Sequence, residues 1–226
     1  MLPPISVDWN QIHHVFLDMD GTLLDLHFDN HFWLEHVPLR FSEKNQLSLK
    51  EAKYQVMSVT KEKEGTLSWY SLRYWAQRLQ LDIVALKHEM SHKISVRDNV
   101  ENFLYFLQQH SAQISLLTNA DRDCVEVKFT YANIAKYFDH IISSHDLGIA
   151  KEQAGFWDQL ALRQDFDPQH TLFIDDNLDV LREAQKHGVK YLLAIDYPDS
   201  QQQKKNTQEF TGIQCFSQLL HSSSIS

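Results

Sequence analysis

The chain has 226 residues, enough for one large core or for a core with a modest inserted subdomain, and its apolar and charged fractions are those of a soluble globular protein. A formal net charge of -9 argues against nucleic acid as the main partner, because phosphate backbones are gripped by Lys and Arg surfaces, although one metal ion and one Lys can still reverse the sign locally for a small phosphate ester. The lone, distant Cys124 and Cys215 argue against a disulfide framework or a structural zinc site, and no apolar run approaches the ~20 residues of a membrane span. The opening M-L-P-P-I-S-V-D-W lacks the basic and apolar segments of a secretory signal, so a cytoplasmic protein without membrane partners is the expectation.

The first predicted element is the compact apolar run in H-H-V-F-L-D, a buried strand that ends in Asp18, Met19, Asp20 and Gly21. Two carboxylates at the end of a buried strand repel one another and lose water, so a cation is needed to hold them, and Mg²⁺ favours carboxylate oxygens together with those of a substrate phosphate. A calcium loop is the competing account of D-x-D-G. It fails on its sixth position, Leu23, where such loops need Gly, and on its twelfth, Asp29, where they prefer Glu.

From about His27 to Ile94 strand-like runs vanish and helical spacing takes over. Leu49, Ala52, Val56 and Val59 form one stripe; Leu67, Tyr70 and Tyr74 overlap with Leu72, Trp75 and Leu79 on a second predicted helix. An all-helical insert over 27–94 is therefore expected, dividing an α/β core of residues 1–26 and 95–226. Beyond it, Asp98 and Glu101 have the spacing of a capping box before a helix bearing Val100, Phe103, Leu104 and Leu107. Then follow the strand I-S-L-L, a helix over about 121–136, the strand H-I-I-S-S, a helix over about 152–163 and the strand T-L-F-I-D-D. A helix stopping at Gly188 and the strand K-Y-L-L-A-I close the alternation, which predicts a parallel sheet with helices on both faces. Residues 198–211 are expected to be a surface loop, Phe216, Leu219 and Leu220 to dock a short last helix, and H-S-S-S-I-S to fray.

In an open parallel sheet, ligands bind at the carboxyl ends of strands. Asp18 with Asp20, Thr118 with Asn119, the segment from Ser144 to Lys151, and Asp175 with Asp176 all fall at such ends. Thr118 or Asn119 could alternatively cap the following helix, and a lone Lys is usually a solvated surface group; their shared position is what raises them. Thirteen scattered histidines show no metal-binding H-x-x-x-H arrangement, and six scattered glycines form neither nucleotide-fold phosphate loop.

V-F-L-D-M-D-G-T-L-L resembles the first motif of the haloacid dehalogenase superfamily in its phosphatase form. T-N after I-S-L-L, the Lys after S-S-H-D-L-G-I-A, and F-I-D-D-N resemble the remaining three motifs, in order. The resemblance implies a three-layer, Rossmann-like α/β core and makes the helical insert a cap of the superfamily's first type. It implies Asp18 as nucleophile, Asp20 as proton carrier, Thr118, Asn119 and Lys151 as phosphate-binding groups, and Mg²⁺ held by Asp18, the backbone carbonyl of Asp20, and Asp175. Asp176 would stand behind the metal or orient the Lys; Asp179 is either a further acidic contact or a charge complementing a helix N-terminus.

The cap should select the substrate by closing over the strand ends and excluding water. Its aromatic residues, Phe28, Phe32, Trp33, Trp69, Tyr70, Tyr74 and Trp75, read first as core, yet a flat ring also suits a nucleobase. L-D-L-H-F-D-N-H-F-W with T-L-S-W-Y is similar to the bacterial GMP/IMP nucleotidases of the superfamily, which implies a purine 5′-monophosphate as substrate and Asp29, Asn30 and Phe32 as its cap contacts. A sugar-phosphate or phosphoglycolate phosphatase is the alternative within the class, and a catalytically silent phosphate-binding module the alternative outside it.

Overall fold

Strand β1 (His14–Leu17) is buried at every position, and the whole fold is laid out around it in a computed structural model that describes residues 2–220. The final H-S-S-S-I-S, expected to fray, lies outside the described residues. Beyond β1, helix α1 (His27–His31) runs through a π-helical stretch (Phe32–His36) into α2 (Val37–Asn45). Pro38 has no N–H to offer a regular helical ladder, and just before it the Val37 N–H reaches back five residues to the Phe32 carbonyl. Helices α3 (Leu49–Lys61), α4 (Leu72–Leu79) and α5 (Ile83–Glu89) complete a region without strands. Ser48 and Glu51 form a reciprocal cap on α3.

After α6 (Val100–Gln108) come β2 (Gln113–Thr118), α7 (Arg122–Ala132), β3 (His140–Ser143), α8 (Ser144–Leu147), α9 (Phe156–Ala161), β4 (Thr171–Asp175), α10 (Leu178–His187), β5 (Tyr191–Ile195) and β6 (Thr211–Ile213). The six strands form one parallel sheet in the order β3-β2-β1-β4-β5-β6. Val15 and Leu17 face α6 and α7 in one apolar cluster, while Phe16 points the other way into a second cluster with α9 and α10. The first cluster continues without a break into Phe28, Phe32, Val56, Trp75 and Ile83 of the helical region.

Several local expectations are corrected or refined. The single helix expected over 67–79 is a 3-10 turn (Leu67–Tyr70) followed by α4, because Ser71 is extended and its hydroxyl caps the Tyr74 N–H. Asp98 is not a cap: α6 is entered through Asn99 at φ 63°, with no side-chain hydrogen bond. The helix expected from Glu152 begins only at Phe156, after Gly155 at φ 92° has reversed the chain. Residues 198–210 are irregular, as expected, with the unforeseen edge strand β6 starting at Thr211, but Asp199 within them is buried against Asn30 rather than on the surface. The last expected helix is a 3-10 turn (Phe216–Leu219) that packs Phe216 and Leu219 into the first cluster.

Candidate active site

Sheet order reverses at β1, with β2 on one side and β4 on the other, and the crevice of such a sheet opens at that point. Leu17 is in register with Leu116 and with Ile174, so the residues that follow, Asp18, Leu117 with Thr118, and Asp175, emerge at one level. A cavity of about 350 Å³, within the span of small-molecule sites, lies there. Asp18, Asp20, Thr118, Asn119, Lys151, Asp175 and Asp176 all line it, and its opposite wall comes from the helical region.

Lys151 ties the strand ends together. Its Nζ donates to Asp18 Oδ1 at 2.6 Å, to Asp175 Oδ2 at 2.7 Å and to the Leu117 carbonyl at 3.0 Å. Burial works against its charge, but Asp175 and Asp18 outweigh that and hold the ammonium protonated. Its own N–H donates to Asn119 Oδ1 at 2.9 Å, and Asn119 Nδ2 donates to Glu152 Oε2 at 2.8 Å. Asn119 is thus spent on the loop that carries Lys151 and does not cap α7; Asp121 does that, accepting from the Cys124 N–H at 3.0 Å. Thr118 Oγ1 accepts from the Ala120 N–H at 3.1 Å and is otherwise open to the cavity.

Asp18, Asp175 and Asp176 bring carboxylate oxygens within 4.8 Å of one another. Burial, followed by the charges of Asp175 and Asp20 and against the pull of Lys151, raises Asp18 to about 7. Burial with the Asp176 charge raises Asp175 to about 6, and burial with the Asp18 charge raises Asp176 to about 7. Three carboxylates that resist ionisation together are a donor set for a hard divalent cation. Asp176, expected behind the metal, lies in this group, while the Asp20 carboxylate lies outside it. Gly21 is required beside it: at φ 85° a Cβ would stand 2.8 Å from the Asp176 carboxyl carbon. Asp179 is solvent-facing, paired with Arg182 at 2.8 Å in the first turn of α10.

The Asp20 carboxylate turns instead to Lys128, which donates to its Oδ1 and, at 2.6 Å, to Asp29 Oδ2. Asp29 Oδ1 accepts from Lys87 at 2.9 Å. Asp29 and Asn30 do line the cavity, but Asn30 Nδ2 is bound to Asp199 Oδ2 at 2.7 Å. Phe32, expected as a substrate contact, does not line it: the ring is fully buried beneath the Lys87 ammonium, 4.6 Å away, and its helix presents Trp33 to the cavity instead. Trp69, Tyr70, Trp75 and Met57 extend this wall. Tyr70 Oη donates to Glu152 Oε1 at 2.7 Å, joining the helical region to the Lys151 loop.

The sequence pattern does not single out Lys87, Lys128 or Glu152 as site residues. A signal existed for the two lysines: Lys128 is spaced four residues from both Cys124 and Ala132, and Lys87 four from Ile83, so each charge sits on the apolar stripe of its helix. Nothing comparable marked Glu152, whose placement depends on the turn before α9.

The haloacid dehalogenase-like hydrolase model matches residues 12–212. The chain is 35% identical over 218 residues to the GMP/IMP nucleotidase YrfG of Escherichia coli, covering 96% of this chain and 98% of that one. Among solved structures, the phosphatase of this class from Thermococcus onnurineus superposes with a TM-score of 0.74 at 19% identity, covering 91% of this chain and 95% of that one. The magnesium-bound hydrolase YfnB of Bacillus subtilis does so at 0.60 and 20%, covering 91% and 96%. With motif-bearing strand ends gathered round one cavity and the family model spanning nearly all of the sheet, this chain belongs to the haloacid dehalogenase-like hydrolases.

Proposed function

We propose that the chain is a Mg²⁺-dependent phosphomonoester hydrolase whose substrate is a purine nucleoside 5′-monophosphate. The observation that carries the chemistry is the convergence of Asp18, Asp20, Thr118, Lys151 and Asp175 on one cavity. What supports the substrate class is the aromatic wall of Trp33, Trp69, Tyr70 and Trp75 facing those residues, together with a near full-length relative named as a GMP/IMP nucleotidase.

In this reading an oxygen of Asp18 attacks phosphorus while Asp20 protonates the departing ribose oxygen, and Asp20 then takes a proton from the water that hydrolyses the Asp18 phosphoryl ester. The Lys151 ammonium and the Thr118 hydroxyl hold the transferred phosphoryl oxygens, and the amide after Thr118 joins them. Residues Asp18, Asp175 and Asp176 would hold Mg²⁺, which supplies charge neutralisation between an anionic nucleophile and an anionic ester. The helical region closes the far side of the cavity against bulk water.

Phosphate release from IMP or GMP in the presence of Mg²⁺ is expected, and Asp18→Asn, whose amide is no nucleophile, should abolish it. Mg²⁺ should also raise the thermal unfolding temperature, and Asp176→Asn should shrink that gain without activity being measured. A panel with sugar phosphates and phosphoglycolate, compared by kcat/KM, separates substrates: equal values across the panel would remove the purine assignment. Mg²⁺-dependent binding of phosphate with no turnover of any monoester would leave only a silent binding module.

A further inference from the structure

We propose that Lys128, braced from behind by Asp29, is a positioning residue for the Asp20 carboxyl group, holding one of its oxygens so that the other meets the leaving oxygen of the substrate. The proposal rests on Asp20 being the proton carrier. Four charged groups from four places in the fold run in series: Lys87 of α5, Asp29 of α1, Lys128 of α7, and Asp20 after β1. Both lysines are only 1% exposed. Burial pushes the Asp29 carboxyl up, but Lys128 and Lys87 outweigh it and hold it ionised, at about 2. The rings of Phe28 and Phe32 lie 4.7 and 4.6 Å from the Lys87 ammonium, and Phe28 lies 5.6 Å from that of Lys128, so the two ammoniums are covered by aromatic faces on that side.

Stability alone does not account for such a group. Two buried ammoniums and their carboxylates cost much of what their attraction returns, and well-packed apolar side chains often serve a core as well or better. What the arrangement does uniquely is fix direction. Lys128 Nζ has two partners, Asp20 Oδ1 and Asp29 Oδ2; Asp29 has no oxygen left, because Lys87 takes Oδ1. The ammonium cannot swing away from Asp20 without leaving the part-buried Asp20 carboxylate unpaired. Asp20 Oδ2 has no hydrogen-bond partner among the described residues, and Asp20 lines the cavity. In the first step the Asp18–phosphorus bond forms, the ester P–O bond breaks with its electron pair on oxygen, and that oxygen takes the proton from Asp20. Lys128 exchanges nothing; it sets the angle and distance of the transfer.

The test compares two esters with the full chain and Mg²⁺. IMP expels an alkoxide that needs a proton, while p-nitrophenyl phosphate expels a phenolate that does not. Lys128→Met is expected to lower kcat/KM for IMP by about 10- to 100-fold, up to the lower end of the range for a whole general acid, and to change that for p-nitrophenyl phosphate by less than about 3-fold. The loss should sit in kcat rather than KM, and Lys128→Arg should recover part of it. Lys87→Met frees Asp29 Oδ1 without touching Asp20, so it should shift the ratio between the two esters in the same direction as Lys128→Met, but by less. Should Lys128→Met unfold, the double variant with Asp29→Asn, whose amide oxygen can still accept from Lys87 and which leaves Lys87 and Asp20 in charge balance, gives the same comparison. Parallel losses on both esters, or an unchanged ratio, overturn the positioning role alone. A wild-type chain that releases no phosphate from either ester overturns the hydrolase reading and this proposal with it.

Discussion

His14 shows how a single side chain of β1 ties the sheet to pH. Its Nε2 lies 3.1 Å from Ser115 Oγ and 2.8 Å from Gln164 Nε2, and the ring is stacked 4.4 Å from Phe16. Burial, with His140 adding to it, lowers its pKa from 6.5 to about 4. The folded chain therefore refuses a proton that the unfolded chain accepts below 6.5. Stability from this group is fully present above pH 6.5 and is lost as pH falls towards 4, a difference of about 3 kcal/mol. Urea titrations from pH 7 to pH 4 should show a shallower acid limb in His14→Gln than in the wild type. Identical limbs would mean that the ring is charged in the folded state. The neighbouring residues of the site were legible in the sequence for a simple reason: Asp18, Thr118 and Asp175 each end an apolar run, and polarity after a strand points to the crevice. Lys128 and Lys87 were not legible, because a single charge in an amphipathic helix reads as solvated until the stripe it interrupts is drawn.

Among elements, α4 and α7 are tied through a single carboxylate. Asp121 serves both: Oδ1 caps α7 through the Cys124 N–H at 3.0 Å, and Oδ2 accepts the first N–H of α4, from Leu72, at 2.6 Å. Helix N-termini carry unpaired donors, and one carboxylate answers two of them. Asp121→Ala should therefore cost more than an ordinary cap, about 2–4 kcal/mol for the lost cap and a stranded buried N–H together. Asp121→Asn, which keeps an acceptor oxygen, should cost distinctly less. Chemical denaturation of both variants measures this, and equal losses would assign the effect to charge instead. The same region marks where sequence patterns failed. The run over 67–79 has helical spacing throughout, but Ser71 offers its hydroxyl to Tyr74 and restarts the helix, putting Tyr70 in reach of Glu152. Glu152 in turn is free because Gly155 delays α9. Periodicity records which residues are buried; it does not record where the backbone turns between them.

For the whole molecule, the alternation of strands and helices was enough to foretell a parallel sheet, and the reversal of order at β1 placed the crevice. Edge strand β6 escaped notice because three residues after a polar run carry too little pattern, whereas pairing with β5 decides it. No helix among the described residues is long and apolar enough to cross a membrane. The unbroken cluster from Leu17 through Phe28 and Phe32 to Trp75 and Ile83 has one more consequence. An insert with a core of its own would melt by itself, as an independent cooperative unit. Here the helical region has its largest side chains interleaved with those of the sheet, so neither can lose its packing while the other keeps it. Calorimetry should record one transition with equal van't Hoff and calorimetric enthalpies, and amides of α1 and β1 should exchange with deuterium at a common, global rate. Two resolved transitions would show that the shared cluster divides at the seam.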